Sequence, residues 1–181
     1  EHPNLQTIEL EDYKSNLRQI VCGIRAAMEP NVKVLLITPP AADEATWRQF
    51  QIKEHDWPES FGPSRTNENS GRYAEACKEI GVEMEAPVVD LWGSMNAMKD
   101  WKGLLSDGLH FNVPGNEFVA QQVKNSILAH FPELAPDSLQ LDFPLWADID
   151  KLNSDNTFAP MLKKAQGCAS DDERERKLPR L

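Results

Sequence analysis

The sequence lacks the features of a disulfide framework, a zinc site and a nucleic-acid-binding surface. Its 181 residues include three cysteines and no Cys-x-x-Cys pair, whereas disulfide frameworks need paired cysteines and zinc sites need closely spaced ligands. Lys and Arg total 19 against 29 Asp and Glu, which gives a formal net charge of -10. Nucleic acids and anionic membranes attract basic surfaces, so neither is expected as a partner.

Long apolar runs are missing as well. The longest clean run spans residues 34–37, far short of the roughly 18 residues that indicate a transmembrane helix. The start of the chain does not resemble a signal peptide. Because the first residue is Glu1 and not Met, we expect the parent protein to extend upstream. The odd cysteine count slightly favours the cytoplasm, and the sequence leaves the compartment and the oligomeric state open.

The composition is that of a globular protein with a packed core. Hydrophobic residues make up 40% of the chain and aromatic residues 8%, which is enough for one domain. Helical and strand-like apolar patterns alternate: the helical segments are 9–28, 65–80, 92–98 and 114–130, and the strands are 32–37 and 88–91. This order predicts the α/β class, with parallel strands and crossover helices. Cys22 and Cys77 fall on apolar helix faces and are expected to be buried.

Other regions show no such periodicity. Residues 40–64 are polar, with two tryptophans, and predict a long loop that acts as a lid, a binding loop or an insertion. Beyond residue 131 the sequence is rich in Pro, Asp and Leu. This composition predicts an extended arm, 132–160, packed on the domain formed by residues 1–131. The mixed-charge end, 161–181, is predicted to be disordered.

The stretch "LLSDGLHFNVPG", residues 104–115, has the pattern of a working site. An imidazole acts as a general base when one ring nitrogen is free and a carboxylate holds the other. Asp107 and His110 can meet across one turn, and Gly108 allows backbone conformations that other residues resist. A surface Asp beside a packing or capping His is the alternative interpretation. A metal site is not expected, because no third His or Cys lies nearby in the sequence.

A nucleophile for this pair is harder to find. Ser94 follows a glycine in "LWGSMNA" but lacks the second glycine of a nucleophile elbow. Ser106 adjoins Asp107 and would point away from it in an extended segment. We therefore expect that no serine of this chain is the nucleophile. The aromatic side chains Trp47, Trp57 and Phe111 are possible substrate contacts, although packing is the favoured role for each.

Beyond spacing, several segments resemble a known family. "DGLHFNVPGNEFVAQQV" resembles the last conserved block of the GDSL, or SGNH, hydrolases, in which Asp-x-x-His supplies the acid and the base of a catalytic triad. Five further segments resemble the isoamyl acetate-hydrolysing esterase branch in the same order: "IELEDYKSNLRQIV", "VKVLLITPPA", "RTNENSGRYAEAC", "PVVDLWGSM" and the arm "DSLQLDFPLWADID". The resemblance covers roughly residues 8–150.

The resemblance implies a three-layer α/β/α flavodoxin-like fold without a cofactor. It also implies that the parent hydrolyses short-chain carboxylic esters, small-molecule substrates, through an acyl-serine intermediate. His110 would be the general base and Asp107 would orient it. In the family, the nucleophilic serine lies in an N-terminal Gly-Asp-Ser block, and a Gly and an Asn from two later blocks complete the oxyanion hole.

None of those three blocks occurs in this sequence. The resemblance places them upstream of Glu1, together with the first strands of the sheet, whose absence would leave apolar strand faces exposed. The 181-residue chain is then expected to be inactive or nearly so. Two alternatives remain open: a hydrolase-like module that lost its nucleophile and binds a ligand or partner, and an α/β interaction protein with a structural Asp–His turn. The second predicts a buried His110.

Overall fold

The computed structural model describes residues 8–28 and 31–139, and the compact unit that contains the helices and strands ends at Ala135. These elements are, in chain order, α1 (Leu10–Ala27), β1 (Leu36–Ile37), α2 (Glu44–Glu54), α3 (Asn67–Glu83), β2 (Val88–Val89), α4 (Leu91–Asn96) and α5 (Val113–His130). Short 3-10 helices at Trp101–Leu104 and Pro132–Leu134 flank α5.

The two strands form a parallel pair. Leu36 lies opposite Val88 and Ile37 opposite Val89. The ladder continues past the strands, because the Thr38 N–H donates to Val89 O over 3.0 Å. Parallel strands need a long crossover connection, which α2 and α3 supply here. The α/β class expected from the sequence is thereby confirmed.

The core divides into two clusters. The first lies where α1 and α3 cover the strands and consists of Val21, Leu36, Cys77, Ile80 and Ala86. The second lies beneath the segment that precedes α5 and contains Ala41, Met95 and Leu105, with Trp92, Trp101, Leu104, Phe111 and Phe118 around them. The second cluster packs against the segment that holds Asp107 and His110, so the candidate site rests on a packed core.

Apolar side chains are exposed along β1 and α1. Ile37 is 45% exposed on the strand, and Ile20 and Ile24 are 54% and 37% exposed on the helix. Exposed apolar groups on the strand were expected from the resemblance. On the helix they correct one sequence expectation, since Cys22 lies on this exposed surface and is not buried, whereas Cys77 is.

The prediction of a loop over residues 40–64 is wrong for its first half, where α2 runs from Glu44 to Glu54. The buried face of this helix consists of Trp47 and Gln51. One of these two side chains is polar, so the helical period does not show in the hydrophobic pattern. Gln51 is buried because its Oε1 accepts the Ser64 N–H at 3.2 Å.

The strands are shorter than predicted, and the domain limits stay predictions. Of the expected arm, 132–160, the structure describes only residues 132–139, which begin with a 3-10 helix. The rest of the arm and the tail predicted over 161–181 lie outside the described residues. Within the described ranges, no helix is long and apolar enough to cross a membrane.

Candidate active site

The Asp107 carboxylate organises the turn that follows it. Its Oδ1 accepts the backbone N–H groups of Leu109 and His110 at 2.9 and 2.8 Å. Its Oδ2 lies 2.6 Å from His110 Nδ1. The Ser106 N–H closes the turn by donating to His110 O over 2.8 Å. One carboxylate therefore bonds both the backbone of the turn and the imidazole at its end.

The protonation state of the Asp107 carboxyl follows from its surroundings. Burial raises the pKa of the Asp107 carboxyl, but hydrogen bonds from His110 and Leu109 outweigh that effect and leave the pKa below its ordinary value. Asp107 is therefore ionised at neutral pH and only accepts hydrogen bonds. His110 Nδ1 faces this acceptor, so we assign the tautomer with the proton on Nδ1 and a lone pair on Nε2. The His110 side chain is 67% exposed, against 11% for Asp107.

Gly108 is required by the way the turn packs. Its φ is +93°, in the region that side chains resist. A Cβ at this position would lie 2.5 Å from Trp47 N and 2.6 Å from Asp43 O. The turn therefore rests directly on the backbone at the start of α2.

The downstream side of the turn is fixed by Asn112. Its side-chain oxygen caps α5 by accepting the Gly115 N–H at 3.0 Å, and its Nδ2 donates to Gly103 O over 2.8 Å. Leu105 and Phe111 form an antiparallel bridge between these points. The turn is thus held between the 3-10 helix before it and α5 after it.

The buried carboxylate of Asp43 joins the start of α2 to the turn. The Asp43 N–H donates to Gly108 O over 2.8 Å. Its carboxylate accepts from Lys102 Nζ at 2.9 Å and from Thr46 Oγ1 at 2.7 Å. Burial raises the pKa of Asp43, but these two hydrogen bonds lower it more, and the pKa lies below its ordinary value. This contact could not be predicted from the sequence, because Asp43 and Lys102 are 59 residues apart.

Trp47 packs against the imidazole. The two ring centroids are 5.8 Å apart and the planes are inclined by 76°. Trp47 is 8% exposed, so it packs inside the structure, as favoured for it. Phe111 likewise packs on the second core cluster. Trp57 is half-buried and donates its indole N–H to Gly62 O over 2.9 Å.

The remaining serine and histidine side chains do not complete the pair. The Ser106 hydroxyl donates to His110 O over 3.0 Å, not to the ring. No serine hydroxyl in the described ranges hydrogen-bonds to the His110 imidazole. His130, at the end of α5, bonds to Ser126 O. Nor does the described part of the chain hold a group of three or more His, Cys, Asp or Glu side chains arranged to bind a metal ion.

Two surface depressions of the described residues lie away from the pair. One, of about 470 Å³, is open and is bordered by the end of α3 and the start of β2. The other, of about 190 Å³, lies between Pro39 and Tyr73. Neither is lined by Asp107 or His110. The exposed His110 imidazole thus lies outside both depressions.

Comparisons with known proteins agree with the resemblance. The family model of GDSL-like lipases/acylhydrolases matches residues 4–123. A GDSL esterase/lipase of Arabidopsis thaliana is 34% identical over 154 residues, which cover 84% of this chain and 62% of that protein. The isoamyl acetate-hydrolyzing esterase 1 homolog of Homo sapiens is 34% identical over 144 residues, which cover 80% of this chain and 54% of that protein.

Among solved structures, the fold is similar to that of a lipase/acylhydrolase from Enterococcus faecalis. The TM-score is 0.54 at 25% sequence identity, and the match covers 68% of this chain and 54% of that one. The chain thus spans little more than half the length of the relatives it matches. With a family model that matches most of its residues, the chain belongs to the GDSL-like lipase/acylhydrolase family.

Proposed function

We propose that the parent protein hydrolyses short-chain carboxylic esters of the acetate type, with His110 as general base and Asp107 as the residue that orients it. A serine outside these 181 residues supplies the nucleophile. The observation that carries the proposal is the 2.6 Å contact between Nδ1 of an exposed His110 imidazole and the carboxylate of Asp107, which is ionised and only 11% exposed. The relatives named as isoamyl acetate-hydrolyzing esterases suggest the substrate class.

Each proton has a place in this reaction. His110 Nε2 takes the hydroxyl proton as the serine oxygen attacks the ester carbonyl. When the ester C–O bond breaks, the imidazolium gives this proton to the departing alcohol. Water then attacks the acyl-serine, its proton passes to Nε2, and the carboxylic acid leaves as the serine recovers the proton. Throughout, Asp107 stays ionised and stabilises the imidazolium.

The alternatives make different statements about the same residues. An interaction protein with a structural Asp–His turn predicts a buried His110, which disagrees with the exposed ring. A module that lost its nucleophile keeps the same turn but catalyses nothing in any length of chain. This sequence contains no Gly-Asp-Ser block, so the module without a nucleophile stays an alternative. Ester turnover by the parent distinguishes it from the esterase.

The test is ester hydrolysis by the parent, measured with isoamyl acetate and p-nitrophenyl acetate. His110→Ala is expected to lower kcat by a factor on the order of 10⁶, because the base is lost. His130→Ala is the matched control and should leave the rate unchanged, since this ring bonds only at the end of α5. The 181-residue chain alone is expected to be inactive. Turnover by that chain, lost on His110→Ala, would contradict the proposed source of the nucleophile.

A further inference from the structure

The His110 imidazole is held at few points. Its Nδ1 bonds to Asp107, and Nε2 has no hydrogen-bonding partner among the residues that the structure describes. The side chain is 67% exposed, so little packing restricts it. One hydrogen bond fixes one atom of a ring that can still rotate about two side-chain bonds, and ordering such a side chain costs free energy. An additional contact is needed to keep the ring in one orientation.

Among the residues that the structure describes, Trp47 is the one whose aromatic ring contacts this imidazole. The edge-to-face arrangement, with centroids 5.8 Å apart, is a favourable geometry for aromatic pairs. Trp47 lies on α2, whereas Asp107 lies in the turn of His110 itself. The two contacts therefore approach the ring from different elements.

The indole of Trp47 is itself fixed on several sides. Its Nε1–H donates to Ser64 Oγ over 3.0 Å. It stacks on Phe50 with centroids 5.6 Å apart. The backbone of Trp47 also packs directly against the turn. A Cβ placed at Gly108 would lie only 2.5 Å from Trp47 N. A rigid indole at a distance set by backbone contact is suited to positioning a mobile ring.

We propose that Trp47 is a positioning residue, whose indole holds the His110 imidazole in the rotamer that bonds to Asp107 and leaves Nε2 open for proton transfer. The catalytic consequence rests on the proposed function, but the geometric claim does not. Catalysis by a base depends on its alignment, and a small displacement by a residue outside the chemistry can cost roughly 100-fold in rate. Trp47 acts through His110 and does not itself touch the reacting atoms.

The geometric claim is tested on the 181-residue chain by NMR with ¹⁵N-labelled histidine. The wild-type ring should show one tautomer, with the proton on Nδ1 and slow exchange of that proton with water. In Trp47→Leu we expect mixed tautomers and loss of the Nδ1 proton signal. Trp47→Phe keeps a ring against His110 and should retain most of the signal.

Trp92→Phe is the matched control. Trp92 is half-buried against the second core cluster, and its Nε1–H bonds to Asn67 at 3.1 Å, so the change removes the same kind of hydrogen bond but no ring contact with His110. Its His110 signals should match the wild type. If Trp47→Leu fails to fold, Ser64→Ala carries the test, because it frees the indole and should broaden the same proton signal. A folded Trp47→Leu, or Ser64→Ala in its place, with wild-type His110 signals would overturn the proposal.

The catalytic consequence is tested in the parent. Trp47→Leu should lower kcat by about 10- to 100-fold with little change in KM, and Trp47→Phe should restore most of the rate. An equal loss in Trp92→Phe would show a general structural effect and overturn the assignment. A parent that hydrolyses no ester contradicts the proposed function alone, because the NMR result on the shorter chain decides the role of Trp47 independently.

Discussion

Two largely covered carboxylates, those of Asp107 and Asp43, support the candidate site and have similar surroundings. Their side chains are 11% and 10% exposed, and each contacts an exposed basic partner, His110 at 67% and Lys102 at 60%. Each also accepts further hydrogen bonds that keep it ionised despite burial. The difference is the partner. A lysine stays charged near neutral pH, whereas an imidazole gains and loses a proton there.

This difference suits the two similar contacts to separate tasks. The pair of Asp43 and Lys102 connects α2 to the 3-10 helix and fixes the geometry around the turn. The pair of Asp107 and His110 has the same anchoring but ends in a group suited to proton transfer. An acidic residue in a short buried contact is therefore not evidence of catalysis by itself, and the chemistry of the partner decides.

The largest expected difference between the two carboxylates is in turnover by the parent. Asp107→Ala should lower kcat by a factor on the order of 10⁴, less than His110→Ala, because the base remains but loses its orientation. Asp43→Ala should lower kcat by roughly 10-fold, because it disturbs the turn only through α2. The measurement is the steady-state rate with p-nitrophenyl acetate. Equal and small effects of Asp107→Ala and His110→Ala would contradict the triad assignment.

Gly108→Ala should disrupt the contact between the turn and the start of α2. A Cβ there meets the backbone of α2, and φ at this position is +93°, so we expect a loss of about 3 kcal/mol in the free energy of unfolding. Urea unfolding of the 181-residue chain measures it. Gly103→Ala is the matched control, since a Cβ at Gly103 meets nothing within 4 Å. A Gly108→Ala chain as stable as this control would show that the turn does not rest on α2.

A smaller effect is expected on the stability of the folded chain at acidic pH. The pKa of each of the two carboxyls is lower in the folded chain than the ordinary value of about 4 expected after unfolding. Each therefore contributes stability that is fully present above pH 4 and is lost as the pH falls through the folded-state pKa. Asp107→Asn and Asp43→Asn should each flatten the decline of the unfolding free energy as the pH falls below about 4. Unchanged slopes in both variants would contradict the shifts.

The sequence allowed one of these pairs to be predicted and not the other. Asp107 and His110 are three residues apart, so local spacing and a glycine suffice to suggest their contact. Asp43 and Lys102 are 59 residues apart, and nothing local indicates that they meet. The helix that carries Trp47 was also missed, because polar Gln51 occupies half of its buried face. By contrast, α1 and α5 have strong helical periods in the sequence, and their predicted ends agree with the structure within a few residues.

The hydrogen bond from the Asp43 N–H to Gly108 O has a consequence for dynamics. This amide is at the start of α2, yet its acceptor belongs to the turn, so exchange of its hydrogen for deuterium requires the two elements to separate. Protection of a single backbone amide would then report how often the site opens. Such a reading needs neither substrate nor turnover, and it can be taken on the 181-residue chain in solution.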